Sequence, residues 1–372
     1  MIYTLAIVLG FIGLLAVVLI HEFGHYVVAR AFGFKVQEYF VGFGPKLWST
    51  RRGEIEYGVK ALPLGGYVKI AGMDPFSPVA PEDLPRSYGA KPKWQRALVI
   101  AAGPATHFLV AVVLFALGFM FVGDANTSKP IVAGIVQTIH GKTSPASAAR
   151  LQPGDQIVAI GDLQNPTWSQ LSRFTTAHIG TAVAYTILRD DRLVHLMMTP
   201  VAYSLDPNHV IGRIGIVLGA EKLGIASAFT RGIGAVGATT KGTVIQLGKV
   251  FGPEGIGRIV KVLFTSAPRQ ASDPTSVVGI GRFVGEAARQ SGLGVLLSTL
   301  AFVTVFIGLL NLIPLPPFDG GHLTVLLIEK LRGKSVDMRR LIPISAAVIT
   351  FLVIFVGMTI ILDITKPLPL AP

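Results

Sequence analysis

The chain has 372 residues and no cysteine, which removes disulfides and thiolate ligands from its chemistry. It is 51% hydrophobic and only 15% charged, with a mean hydropathy of +0.59, too apolar for an ordinary soluble protein. The net charge of +12 is gathered in linkers rather than spread over one face, which argues against nucleic-acid binding.

The first apolar run, Ile2 to Ile20, is long enough for a transmembrane helix. It has no basic start, and no small-residue cleavage site precedes the histidines that follow, so it reads as a retained helix rather than a secretory signal. At its end stands His21-Glu22-Phe23-Gly24-His25, an HExxH pattern. Positions i and i+4 share a helix face, so the two imidazoles can converge on one Zn2+, with Glu22 placed to act as general base on a water beside it. The bland reading is two helical histidines facing solvent. In hydrocarbon, however, a His-Glu-His cluster is costly unless it is paired or metallated. Two ligands do not complete a site, and a third is required.

Residues 35–96 form a basic linker with Lys35, Lys46, Arg51, Arg52, Lys60, Lys69, Arg86, Lys91, Lys93 and Arg96. Within it, Ile55 to Ile70 alternates enough to form a β-hairpin, whose bland reading is a solvated turn. Further spans are expected at Ala97 to Val122, Leu293 to Leu312 and Leu341 to Leu362, which makes four transmembrane helices. A second basic loop, 330–340, carries Lys330, Arg332, Lys334, Arg339 and Arg340. The positive-inside rule places both basic linkers in the cytoplasm, and both termini and the segment from Gly123 to about Gly292 outside.

That outer segment has two parts. From Ile131 to about Ala202 it is β-rich, with a strand at Ile157 to Ile160 and a hairpin around Asp190-Asp191, which predicts a small water-exposed α+β domain over 127–202. From 221 to 292 it is glycine-rich, with Arg231, Lys241, Lys249, Arg258 and Lys261 recurring through apolar stretches. That pattern suits amphipathic helices on the membrane surface better than a span.

The third span, in segment 293–320, ends in Asn311-Leu312-Ile313-Pro314-Leu315-Pro316-Pro317-Phe318-Asp319-Gly320-Gly321, where three prolines preclude a regular helix. Broken backbone at membrane depth is tolerated only where it is buried in protein or lines a cavity. Asp319 is therefore a candidate third zinc ligand, leaving a fourth position open. The alternative is that it caps a helix beginning near Gly320.

With these residues assembled, the chain closely resembles the site-2 protease family of intramembrane zinc metalloproteases. Beyond HEFGH and PLPPFDG, the likeness includes Tyr39-Phe40-Val41-Gly42-Phe43-Gly44-Pro45 and Gly58 to Val68, similar to the segment after the first helix in the bacterial branch that cleaves anti-sigma factors. Ala102-Gly103-Pro104 resembles the opening of that branch's second helix. Ser147 to Gly161 resembles a PDZ domain of the protease-associated type, and this single insert with Trp48 to Glu54 is similar to Gram-positive, especially actinobacterial, members. One departure is His107, which stands where the family's Gly-Pro-x-x-Asn pattern has asparagine.

The resemblance implies a polytopic α-helical membrane protein with four transmembrane helices, a membrane-associated β-hairpin loop over 55–70 and an extracytoplasmic PDZ-like domain. It implies a cell-membrane (plasma or inner membrane) protease with Zn2+ held by His21, His25 and Asp319 and with Glu22 as base. Its substrates would be single-span proteins such as anti-sigma factors or signal-peptide remnants. Gly65, Gly66 and Tyr67 on the hairpin, with Asn311 and the freed backbone at Pro314, would clamp an unwound substrate. The PDZ-like domain would bind a peptide or merely restrict access. The rival reading is a non-enzymatic scaffold with a structural zinc, whose fourth ligand would be His107 or His322. A metal transporter would show more polar residues along its spans.

Overall fold

The computed structural model describes residues 2–74, 76–124, 130–206, 209–220, 222–270, 273–276, 279 and 293–368. They fall into two compact units. The first comprises Met1–Phe115, Gly232–Ala267 and Asp273–Pro367, and the second comprises Ala116–Arg231, Pro268–Ser272 and Leu368–Pro372.

The first unit opens with helix α1 (Ile2–Ala31), which carries the HExxH residues inside a continuous helix. Strands β1 (Val36–Arg52) and β2 (Ile55–Ile70) follow and pair with each other. The hairpin expected within Ile55 to Ile70 is therefore a different object, because β2 takes its partner from β1 and both strands fold back on themselves. Glu38, Tyr39, Phe40 and Val41 align with Glu56, Tyr57, Gly58 and Val59 on one side. On the other side, Glu38 to Val41 align with Lys69, Val68, Tyr67 and Gly66. The alternation of β2 showed a strand but carried no information on which segment would pair with it. Its last stretch, Gly66 to Ile70, is an edge; among the described residues it pairs only with β1.

Helix α2 (Lys93–Phe121) contains Gly103-Pro104 in its interior. These residues do not open the helix as expected, because nearly three turns, Lys93 to Ala102, precede them. Ala29, Phe34, Val36, Ile55, Ile70, Tyr88, Val99, Ile100 and Leu326 form one buried cluster joining α1, the sheet and α2.

The second unit is α+β. Strands β3 (Val132–Ile135), β4 (Thr138–Ile139) and β5 (Lys142–Thr143) lead into α3 (Pro145–Ala148), capped by the Ser144 side chain. Strands β6 (Gln156–Ile160) and β7 (Leu163–Gln164), helix α4 (Trp168–Ala177), and strands β8 (Val183–Arg189) and β9 (Arg192–Met198) complete a four-stranded sheet of order β7-β6-β8-β9. The β8–β9 hairpin turns at Asp190-Asp191, as expected. The unit does not close at Ala202. Strands β10 (Val201–Asp206), β11 (His209–Arg213) and β12 (Ile216–Leu218) extend it, and Ile216 pairs back to Ile135. Inward residues including Ile157, Tyr185, Ile187 and Met198 form its core.

Helices α5 (Ile225–Phe251) and α6 (Pro253–Phe264) lie in the stretch expected to rest on a membrane surface. Val236 of α5 packs with Ala111 of α2 and with Val305, so part of this helix is held against apolar helices. Within that stretch, residues 221, 271–272, 277–278 and 280–292 lie outside the described residues.

Helix α7 (Leu293–Asn311) ends where the prolines begin, α8 (Asp319–Arg332) starts at the expected ligand, and α9 (Ile342–Thr365) is mostly apolar, with a buried Asp363 near its end. Among the described residues, Lys93–Phe121 and Arg339–Thr365 are long and apolar enough to cross a membrane, and Leu296–Asn311 is apolar but shorter.

Candidate active site

The site forms where α1 and α2 cross and α8 begins. Two glycines allow the crossing. A Cβ on Gly24 would lie 2.6 Å from the Ala102 carbonyl oxygen, and one on Gly103 would lie 2.2 Å from His25 Nε2. Only a residue without a side chain lets α2 approach both imidazoles so closely. Asp319 enters from the other direction because the chain leaves helical geometry between Leu312 and Phe318 and resumes it at Asp319. It therefore both begins a helix and faces the histidines, so the two readings of this residue are compatible.

His25 donates its Nδ1–H to the Val99 carbonyl at 2.8 Å, which leaves Nε2 free to accept a metal. His21 Nε2 lies 3.2 Å from His25 Nε2. Asp319 Oδ2 lies 3.3 Å from His21 Nε2 and 3.5 Å from His25 Nε2. Zinc–ligand bonds of about 2.0–2.1 Å in tetrahedral geometry separate ligand atoms by about 3.3 Å. The three atoms are thus spaced as three corners of a zinc tetrahedron would be, and this donor set fits the ion.

His21, Glu22, His25, Asp319, Asn311 and His107 line one cavity of about 420 Å³, with Val68 and Ile70 of the edge segment on its wall. Among the expected clamp residues, Asn311 is thus placed at the cavity. Gly66 packs against α1, where an added Cβ would lie 3.6 Å from Glu22 Cγ, and Gly65 lies near Val18. Tyr67 donates to Glu38 and lines a neighbouring groove of about 640 Å³ with Pro316 and Pro317. Pro314 lines neither space. The Val99 carbonyl and the Gly24–Gly103 crossing escaped the sequence reading. Their only trace there is small residues within apolar runs, and a single sequence does not say which helices cross.

A buried pair of imidazoles and a carboxylate, with a glutamate beside them in an apolar helical bundle, defines a membrane metallohydrolase in outline. The sequence profile of peptidase family M50 matches residues 9–356. The zinc metalloprotease Rip1 of Mycobacterium tuberculosis strain H37Rv is 31% identical, with 100% of each chain covered. Rip1 of Mycolicibacterium smegmatis is 33% identical, with 99% of each chain covered. The chain belongs to peptidase family M50, the site-2 proteases. It is an intramembrane zinc metalloprotease.

Proposed function

We propose that this protease cuts single-span membrane proteins, of the anti-sigma-factor type, with His21, His25 and Asp319 holding the zinc and Glu22 as the base. The observation that carries the assignment is the near-equal spacing of 3.2, 3.3 and 3.5 Å among the three ligand atoms beside Glu22. Bound there, zinc would supply Lewis-acid polarisation of the scissile carbonyl. Glu22 takes a proton from the attacking water and returns it to the leaving amine. Three protein ligands leave the fourth corner for water and substrate, as a catalytic rather than a structural site requires.

A membrane helix shields its amides, so the substrate has to be unwound and held extended before it is cut. The edge segment Gly66 to Ile70 offers main-chain groups for strand addition along the cavity wall, and Asn311 offers an amide opposite. In this reading α1, α2, α7 and α9 span the cell membrane, the basic linkers are cytoplasmic, and both termini and the second unit, with its PDZ-like sequence, lie outside. The second unit screens substrates by the bulk of their outer domain.

The test is cleavage of a single-span substrate by protein reconstituted in liposomes, with the cut mapped by mass spectrometry. A cut inside the apolar span supports the proposal. A cut confined to water-exposed flanks would overturn it.

A further inference from the structure

Zinc-bound imidazoles nearly always donate their second ring N–H to a carboxylate, a carbonyl or a water, which fixes the tautomer and the ring orientation. His25 meets this requirement through Val99. His21 does not: among the described residues its Nδ1 is buried with no hydrogen-bond partner. The same holds for both ring nitrogens of His107, a residue only 1% exposed on α2. The two rings are neighbours, with centroids 4.8 Å apart and planes tilted by 34°. Buried polar atoms without partners are rare and call for an explanation, and two unsatisfied rings side by side share one.

We propose that His107 is the positioning residue for His21: one of its ring nitrogens accepts the His21 Nδ1–H. His21 and His25 show the same centroid separation with their Nε2 atoms 3.2 Å apart, so this spacing allows a direct bond once the His107 ring turns, and the enclosed nitrogens leave no room for water between them. Direct ligation by His107 is excluded, because its nitrogens stand outside the group of ligand atoms that lie within 4.8 Å of one another. The assignment rests on the reading of His21 as a zinc ligand through Nε2. It gives a role to the residue by which this chain departs from the asparagine of its family, since an asparagine carbonyl is also an acceptor.

The test uses the full chain in detergent, with zinc affinity measured by chelator competition and the ligand field read from the visible absorption of the Co2+-substituted protein. His107→Phe keeps a ring of similar shape without nitrogens, and His107→Leu is a second apolar variant should the first fail to fold. Either should weaken zinc binding about 10–100-fold and shift the Co2+ bands, with the melting temperature of the metal-free protein unchanged. His107→Asn should restore affinity to near wild type. Unchanged zinc affinity and Co2+ bands in a folded apolar variant would overturn the proposal, as would an asparagine variant as defective as the apolar ones. Full zinc retention by His21→Ala would instead overturn the metal-site reading, and the role of His107 with it.

Discussion

Glu22 shares its cavity with two imidazoles and a carboxylate, and its assigned work is proton transfer rather than ligation. Glu22→Gln preserves its shape and removes its basicity. Turnover should fall about 10²–10⁴-fold with zinc content unchanged, as measured by cleavage assay and metal analysis on the same preparation. Gly103 makes a steric prediction. A methyl group there meets His25 Nε2 at 2.2 Å, so Gly103→Ala should displace the imidazoles and lower zinc occupancy; full occupancy would show that α2 can retreat without cost. At this scale the sequence was informative where a contact is local. His21 and His25 share one helix face, and the proline run announced a break that carries Asp319. The Gly24–Gly103 crossing and the Val99 carbonyl depend on which helices meet, which no spacing within one segment encodes.

Elements are held in place by charges buried between them. Arg96 of α2 contacts Glu329 of α8 at 3.2 Å, and Glu329 is 2% exposed, so this pair ties the helix that begins with Asp319 to the helix that crosses α1. Arg96→Met would strand a buried carboxylate and should cost about 3–5 kcal/mol in detergent unfolding, whereas Arg96→Met with Glu329→Met should recover most of the loss. The turn between β1 and β2 makes a pH prediction. Glu54 accepts from the Arg86 guanidinium at 2.6 and 2.8 Å and lies 3.2 Å from Lys35 Nζ. The Arg86 hydrogen bonds chiefly, and Lys35 after them, lower its pKa from 4.5 to about 2. A depressed folded-state pKa means stability that is present above pH 4.5 and lost as pH falls towards 2. The stability difference between wild type and Glu54→Gln should therefore shrink across that window, and a constant difference would contradict the pairing. The sequence showed alternation only in Ile55 to Ile70, which reads as a hairpin of its own and leaves β1 unforeseen. It did not show that both strands bend, at Gly44-Pro45 and around Pro63 to Gly65, so that one segment of β1 is flanked by two segments of β2.

On the scale of the whole molecule, the four apolar runs all fall on helices, because hydrophobic length is a property of composition and survives any ignorance of packing. The extent of the second unit was less legible, since β12 returns to pair with β3 and short strands give little periodicity. Its removal should therefore span residues 131–218, with a short linker in its place. If it screens substrates, the deletion should let proteins with intact outer domains be cut; unchanged selectivity would assign it another role. The most direct test of the central claim is made on the purified full chain in detergent. Zinc per chain is determined, and cleavage of a single-span anti-sigma-type substrate is followed for wild type, Glu22→Gln and Asp319→Ala. Near-stoichiometric zinc in wild type and Glu22→Gln, cleavage by wild type alone, and metal loss in Asp319→Ala are predicted. Zinc retained by Asp319→Ala, with no cleavage of any single-span substrate by wild type, would contradict the account.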